Sequence, residues 1–96
     1  MLTWVIYDIT DNAKREKVIR VCKSYGLYRV QKSVFLGTLN TNEIDSVALE
    51  CEEKIDPDID SVYVFPFCDD CYSKIKLIGK AFDKDLVSDK IISKFF

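Results

Sequence analysis

Asp8 is the residue whose type and place could most directly do chemistry. It ends an apolar run, Leu2-Thr-Trp-Val-Ile-Tyr7, and stands just before a polar turn. A strand there would carry a carboxylate at its C-terminal end, between rigidly placed neighbours. A hard cation such as Mg²⁺ takes oxygen ligands and usually only one or two protein carboxylates, leaving the rest of its shell to water and substrate phosphate. One Asp per chain, brought near its copy across a dimer axis, meets that need. The same residue also reads as a plain strand end, with Asp11 capping the helix that follows.

Lys14 and Arg15 come next, in the first turn of that helix, where the macrodipole favours acids. Cations there are explained either by a phosphate held among the helix N-terminal amides and these side chains, or by a solvated helix face. Arg29 and Lys32, on the following strand, extend the same basic unit and make a phosphate backbone path plausible, with steep salt dependence as its signature. The chain has no histidine. No imidazole can therefore act as a general base, complete a nucleophilic triad or ligate a metal, and any catalysis runs on carboxylates, thiols, tyrosines, lysines or arginines. Cys68-Asp-Asp-Cys71 is a CxxC pair, but its only candidate zinc partners, Cys22 and Cys51, lie on apolar helical stripes, so the thiols read as structural. Tyr7 and Phe35 read as core aromatics.

The elements that must position these residues follow from periodicity. Leu2 to Ile9 is a continuous β-branched and aromatic run, as in a strand buried within a sheet. Asp11 or Asn12 caps a helix with Val18, Val21, Cys22 and Tyr25 on its apolar stripe, and Gly26 stops it. Tyr28 to Leu36 reads as a second strand, with Val30, Lys32, Val34 and Leu36 on one face and Arg29, Gln31, Ser33 and Phe35 on the other. Gly37 ends it, and Thr38 to Leu39 offer a short hairpin partner. Asn40 and Glu43 have capping-box spacing ahead of Ile44, Val47, Ala48, Cys51 and Ile55, and Asp56-Pro57 terminates this second helix. Val62 to Phe67 is a further strand. In the tail, Ser73 to Ile78 alternates like a strand, and Asp85 to Phe96 is a short amphipathic segment.

This order fits an α+β, ferredoxin-like split βαβ plan (βαββαβ), with two helices on one face of an antiparallel sheet. Residues 1–80 form one domain and 81–96 a C-terminal extension. With 96 residues, 48% of them apolar and 12% aromatic, the chain has more apolar surface than a lone small core easily hides, which favours a homodimer. The N-terminus lacks signal-peptide features, and the longest apolar runs, Trp4 to Tyr7 and Val62 to Cys68, are too short to cross a bilayer. The expectation is a soluble cytoplasmic protein with reduced thiols and no membrane partner.

A net charge of −2 would not single out a nucleic-acid binder, but the average hides a segregation. Residues 1–39 hold seven basic and three acidic side chains, a balance of +4; residues 40–72 hold one basic and ten acidic, or −9; residues 73–96 hold six basic and three acidic, or +3. The first strand-helix-strand unit is a basic module joined to an acidic one.

Tyr7-Asp-Ile-Thr-Asp11, then Arg15, then Tyr25-Gly26-Leu-Tyr-Arg29-Val-Gln31-Lys-Ser33-Val-Phe35-Leu-Gly37 resembles the small CRISPR-associated adaptation protein family, Cas two. Phe67-Cys-Asp-Asp-Cys71 ahead of Lys74-Ile75 and Ile78-Gly79 is also similar to members of it. The resemblance covers most of the first 80 residues. It implies a homodimer whose C-terminal strand crosses to the partner's sheet. It also implies a Mg²⁺-dependent phosphodiesterase acting on single-stranded RNA or double-stranded DNA, with Asp8 as metal ligand and catalytic residue. Tyr7, Arg15, Arg29 and Phe35 match other positions associated with that site, Arg15 and Arg29 holding the phosphate, with Lys14 and Lys17 beside them on the nucleic-acid surface. Where many members have a second arginine two residues after the first, this chain has Lys17, a point charge without a bidentate fork. A second implied role is a non-catalytic, DNA-binding scaffold bridging dimers of the integrase, Cas one.

Overall fold

Short apolar runs alternating with amphipathic stripes build a two-layer fold in the computed structural model, which describes residues 1–68 and, beyond them, 74, 76, 78, 79, 82, 83 and 86. The elements are β1 (Leu2–Asp8), α1 (Asn12–Ser24), β2 (Tyr28–Gln31), β3 (Val34–Thr38), α2 (Thr41–Lys54) and β4 (Ser61–Phe67). The sheet runs β2-β3-β1-β4 with every neighbouring pair antiparallel. β1 is central, which accounts for its unbroken apolar character. This is the expected split βαβ arrangement.

Local chemistry sets the helix ends. The Asp11 carboxylate accepts from Lys14 N at 2.9 Å, and α1 stops at Tyr25 ahead of Gly26, whose φ of 76° suits glycine. Asn40 and Glu43 form the capping box, at 2.8 Å and 3.0 Å.

The second strand differs from expectation. Tyr28 to Leu36 is not one strand but a hairpin, β2 and β3, turning at Lys32 and Ser33 with an irregular register between Arg29 and Gln31. A two-residue turn keeps Val30, Val34 and Leu36 on one face, so alternation alone cannot separate the two cases. Gly37 likewise does not end the strand. It pairs with Thr3 inside β3, and a Cβ there would meet Leu27 Cδ2 at 2.6 Å and Leu27 Cα at 3.3 Å, so a side chain at this position would force the Leu27 side chain to shift. Thr38 closes β3 opposite Leu2 rather than forming a partner strand. The tail readings at 73–78 and 85–96, and the division at 80, lie largely outside the described residues.

One sheet face carries the helices. Val5, Tyr7 and Phe35 pack against Val18, Ile19 and Cys22 of α1 and Val47 and Cys51 of α2. The other face gathers Leu2, Val30 and Leu36 with Trp4, Tyr28, Val34 and Phe82. Pairing of Ile6 with Tyr63 and Trp4 with Phe65 puts two further rings on that face; they stack at 5.9 Å yet remain 51% and 44% exposed. Among the described residues no helix is long and apolar enough to cross a membrane.

Candidate functional site

Strand alternation decides which residues the end of β1 presents. Val5 and Tyr7 point to the helices, so Asp8 falls on the opposite face, exposed, opposite Ser61 on β4. Its two neighbours each lead to an arginine. The Tyr7 hydroxyl donates to the Lys32 carbonyl at 2.8 Å, and Arg29 donates to the same oxygen through Nη2 at 2.7 Å and Nε at 3.2 Å. On the other side, Arg15 Nη1 donates to the Ile9 carbonyl at 3.0 Å, and its Nη2 donates to Asn12 Oδ1. Two guanidinium groups are thus located from the residues that bracket the carboxylate.

A guanidinium carries five N–H donors, so anchoring to main-chain carbonyls leaves donors for an anion. Arg15 and Arg29 line one cleft of about 450 Å³ with Lys32, Ser33, Asp83 and Leu86. The hairpin turn that sequence alternation concealed is what brings Lys32 and Ser33 there. Lys14 and Lys17 are elsewhere: they line a second groove, of about 560 Å³, with Arg20, Val21, Ser24, Glu53 and Lys54. The expected nucleic-acid residues therefore divide between two basic surfaces. Arg20 and Lys54 were not expected in either, since Lys54 belongs to the acidic segment and reaches the groove only because α2 packs beside α1.

Tyr7 and Phe35 require a correction as nucleic-acid contacts. They are 2% and 0% exposed, with ring centroids 6.3 Å apart in the helix-side core. Neither offers a ring face to a base, because the pleat turns both inward. Tyr7 instead holds the Lys32 carbonyl through its hydroxyl, and Phe35 packs against the Tyr7 ring. Burial raises the Tyr7 phenol above its ordinary value, which outweighs the opposing pull of the Arg29 charge, so Tyr7 is a hydrogen-bond donor and not a base at neutral pH.

Among the described residues no three His, Cys, Asp or Glu side chains group to hold a metal ion. At the end of β1 the chain presents one exposed carboxylate, Asp8. That donor fits a hard cation whose remaining positions are filled by water, substrate oxygens or a second chain, and does not fit a closed structural metal site. The cysteines do not alter this. Cys22 and Cys51 are buried between α1 and α2, and their mutual hydrogen bond, with burial, pushes the Cys22 thiol far up. Cys68 is exposed, and Cys71 lies outside the described residues.

Comparison with known proteins gives a consistent match. The family model for CRISPR associated protein Cas2 matches residues 1–75. A curated relative named CRISPR-associated endoribonuclease Cas2 1, from Archaeoglobus fulgidus, is 33% identical over 94% of this chain and 95% of its own. The crystal structure of Streptococcus pyogenes Cas2 superposes with a TM-score of 0.63 at 25% identity, covering 82% of this chain and all of that one. A Thermoproteus tenax protein named as a Cas1/Cas2 endonuclease fusion is 46% identical over 41% of this chain, which covers 15% of the fusion.

Proposed function

Because this chain belongs to the CRISPR-associated Cas2 family, we propose that it is a metal-dependent endonuclease of spacer acquisition that hydrolyses phosphodiester bonds at Asp8. The observation that carries the reading is that both residues flanking Asp8 in the chain lead to an arginine, Ile9 through its carbonyl to Arg15 and Tyr7 through a shared acceptor to Arg29. The two arginines line a cleft that Asp8 itself does not line. RNA is the substrate favoured by the relatives' endoribonuclease names, with duplex DNA as the other candidate.

In this mechanism Arg15 and Arg29 grip non-bridging oxygens of the scissile phosphate and offset the charge that develops there. Their anchoring to main-chain carbonyls pre-orients them, so little side-chain entropy is lost on binding. Mg²⁺, when held by Asp8, supplies Lewis-acid stabilisation of the phosphoryl charge. Asp8 is exposed at the end of a central strand, which leaves it room to meet both the cation and the equivalent Asp8 of a second chain. Homodimerisation through the exposed Tyr63 and Phe65 face is part of the proposal, as is a cytoplasmic site of action.

A second reading, a DNA-binding scaffold for Cas1, is favoured by the Cas1/Cas2 fusion relative. Here the two basic surfaces follow phosphate backbone and Asp8 is dispensable. Assaying Asp8→Ala in parallel for RNA cleavage and spacer acquisition tests both. Loss of cleavage supports the nuclease, and loss of cleavage with intact acquisition assigns the scaffold role as well. Unchanged cleavage by rigorously purified protein removes the nuclease reading.

A further inference from the structure

β2, which carries Arg29, lies at one edge of the sheet and is four residues long. Its pairing with β3 breaks beside that arginine. Arg29 stands opposite Phe35 and Gln31 opposite Val34, so Val30 is an extra residue with no Cα partner in β3. A bulge of this kind takes a backbone group out of the ladder and re-aims the side chains next to it. Val30 is fully buried, where an unpaired carbonyl is costly.

Its carbonyl is met from far along the chain. The Asp83 main-chain N–H donates to it at 2.6 Å, and Leu86 N–H donates to the Asp83 carbonyl at 3.0 Å. The Phe82 ring stacks on Trp4, with centroids 6.4 Å apart and planes 19° apart, and packs into the cluster of Leu2, Val30 and Leu36. Thus docked, Asp83 and Leu86 line the same cleft as Arg15, Arg29, Lys32 and Ser33.

Resting on the phosphate-cleft reading above, we propose that Phe82 and the Asp83 main chain position Arg29. The ring docks the segment on Trp4, and the Asp83 N–H pins the bulge at Val30, fixing the strand position from which Arg29 reaches the Lys32 carbonyl and a bound phosphate. Arg29 is then held twice, by its own guanidinium on the Lys32 carbonyl and by the pin on the next residue. An edge strand has no second sheet neighbour to do this. Without the pin the bulge samples other arrangements, and only the fraction with Arg29 in place binds phosphate at full strength. The role belongs to the Asp83 backbone and asks nothing of its carboxylate.

Proline at position 83 removes the N–H, whereas alanine keeps it and removes only the side chain. Asp83→Pro and Asp83→Ala, each with and without Arg29→Ala, should be titrated by fluorescence anisotropy against a fluorescein-labelled single-stranded RNA at fixed salt. Phe82→Ala, which frees the same segment without a proline, carries the comparison if Asp83→Pro does not fold. The expected result is that Asp83→Pro binds about two- to tenfold more weakly than Asp83→Ala, that Phe82→Ala is weakened similarly, and that these losses vanish once Arg29 is replaced. Equal affinity of the two Asp83 variants and wild-type affinity of Phe82→Ala, with Arg29→Ala weakened, overturn the inference and leave the phosphate cleft standing. Equal losses with and without Arg29 also overturn it, since the segment would then support the fold in general and not Arg29. Wild-type affinity of Arg29→Ala overturns the phosphate cleft and the inference with it.

Discussion

Tyr7 and Arg29 share one acceptor, the Lys32 carbonyl oxygen, which lies 2.8 Å from the tyrosine hydroxyl and 2.7 Å from the arginine Nη2. The tyrosine comes from the core side of β1 and the arginine from the edge strand β2, and they meet at the turn between β2 and β3. A buried donor thus fixes the carbonyl that orients a surface cation. Through this link the position of Arg29 depends on the residue next to Asp8.

Tyr7→Phe removes that hydroxyl while keeping the ring against Phe35. The loss of one part-buried hydrogen bond should cost about 0.5–1.5 kcal/mol, read as a lower urea midpoint. Alkaline pH should separate the two proteins further. The folded-state pKa of Tyr7 is raised by burial above its ordinary value of 10.0. Its contribution to stability is therefore complete below pH 10.0 and is lost as pH rises through the folded-state value. Wild type should lose stability in that window more steeply than Tyr7→Phe.

Arg29→Lys should behave almost as badly as Arg29→Ala. A lysine cannot donate to the Lys32 carbonyl and to a phosphate from one planar fork. Removing one neutralised phosphate from the binding path should lower the slope of log affinity against log salt by about 0.7 for single strands or about 0.9 for duplex. Anisotropy titrations over a salt series of Arg29→Ala measure it, and an unchanged slope for that variant would remove Arg29 from the phosphate path; Arg29→Lys, which keeps the charge, should lose affinity with little change of slope.

Lys14→Glu should improve the fold while harming binding. The first turn of α1 contains no acid, and placing one there should stabilise the helix by about 0.3–1 kcal/mol through the macrodipole. Because Lys14 lines the second groove and not the Arg15–Arg29 cleft, the binding loss should be large for duplexes long enough to reach both surfaces and small for short oligonucleotides. Melting curves and anisotropy with probes of two lengths check the two halves.

Thiol chemistry should separate the cysteines. In a Cys71→Ser background, a chromogenic disulfide reagent should titrate Cys68 at once, while Cys22 and Cys51, buried in the core, should react only after denaturation. Fast reaction of all three would contradict their packing between α1 and α2.

Much of the fold was legible because the signals are local. The Asp11 cap, the Gly26 stop and the Asn40–Glu43 box each need only a few residues to satisfy unpaired backbone groups. Asp8 was legible as a strand end for the same reason, and the Tyr7-to-Gly37 motif named the family. The hairpin at Lys32 and Ser33 was not, since a two-residue turn preserves alternation while reversing the chain. What the turn does became visible only with Tyr7 and Arg29 converging on it. The split of Arg15 from Lys14, adjacent in sequence yet on different surfaces, is a consequence of helical rotation together with the packing of α2. Asp83 in the Arg15–Arg29 cleft was hidden for a further reason: its main-chain N–H donates to the Val30 carbonyl, joining distant segments through a bond that carries no residue signature.

The most direct measurement is the rate at which purified Asp8→Ala cleaves a labelled single-stranded RNA in Mg²⁺, beside wild type with and without chelator. Asp8 is exposed, so the substitution should leave stability within about 0.5 kcal/mol and RNA affinity nearly intact. The account predicts a fall in rate of about two orders of magnitude or more, because a Lewis acid worth several kcal/mol is lost, and an equal fall for wild type in chelator. Cleavage by Asp8→Ala at the wild-type rate, with chelator still inhibiting both proteins, would contradict it.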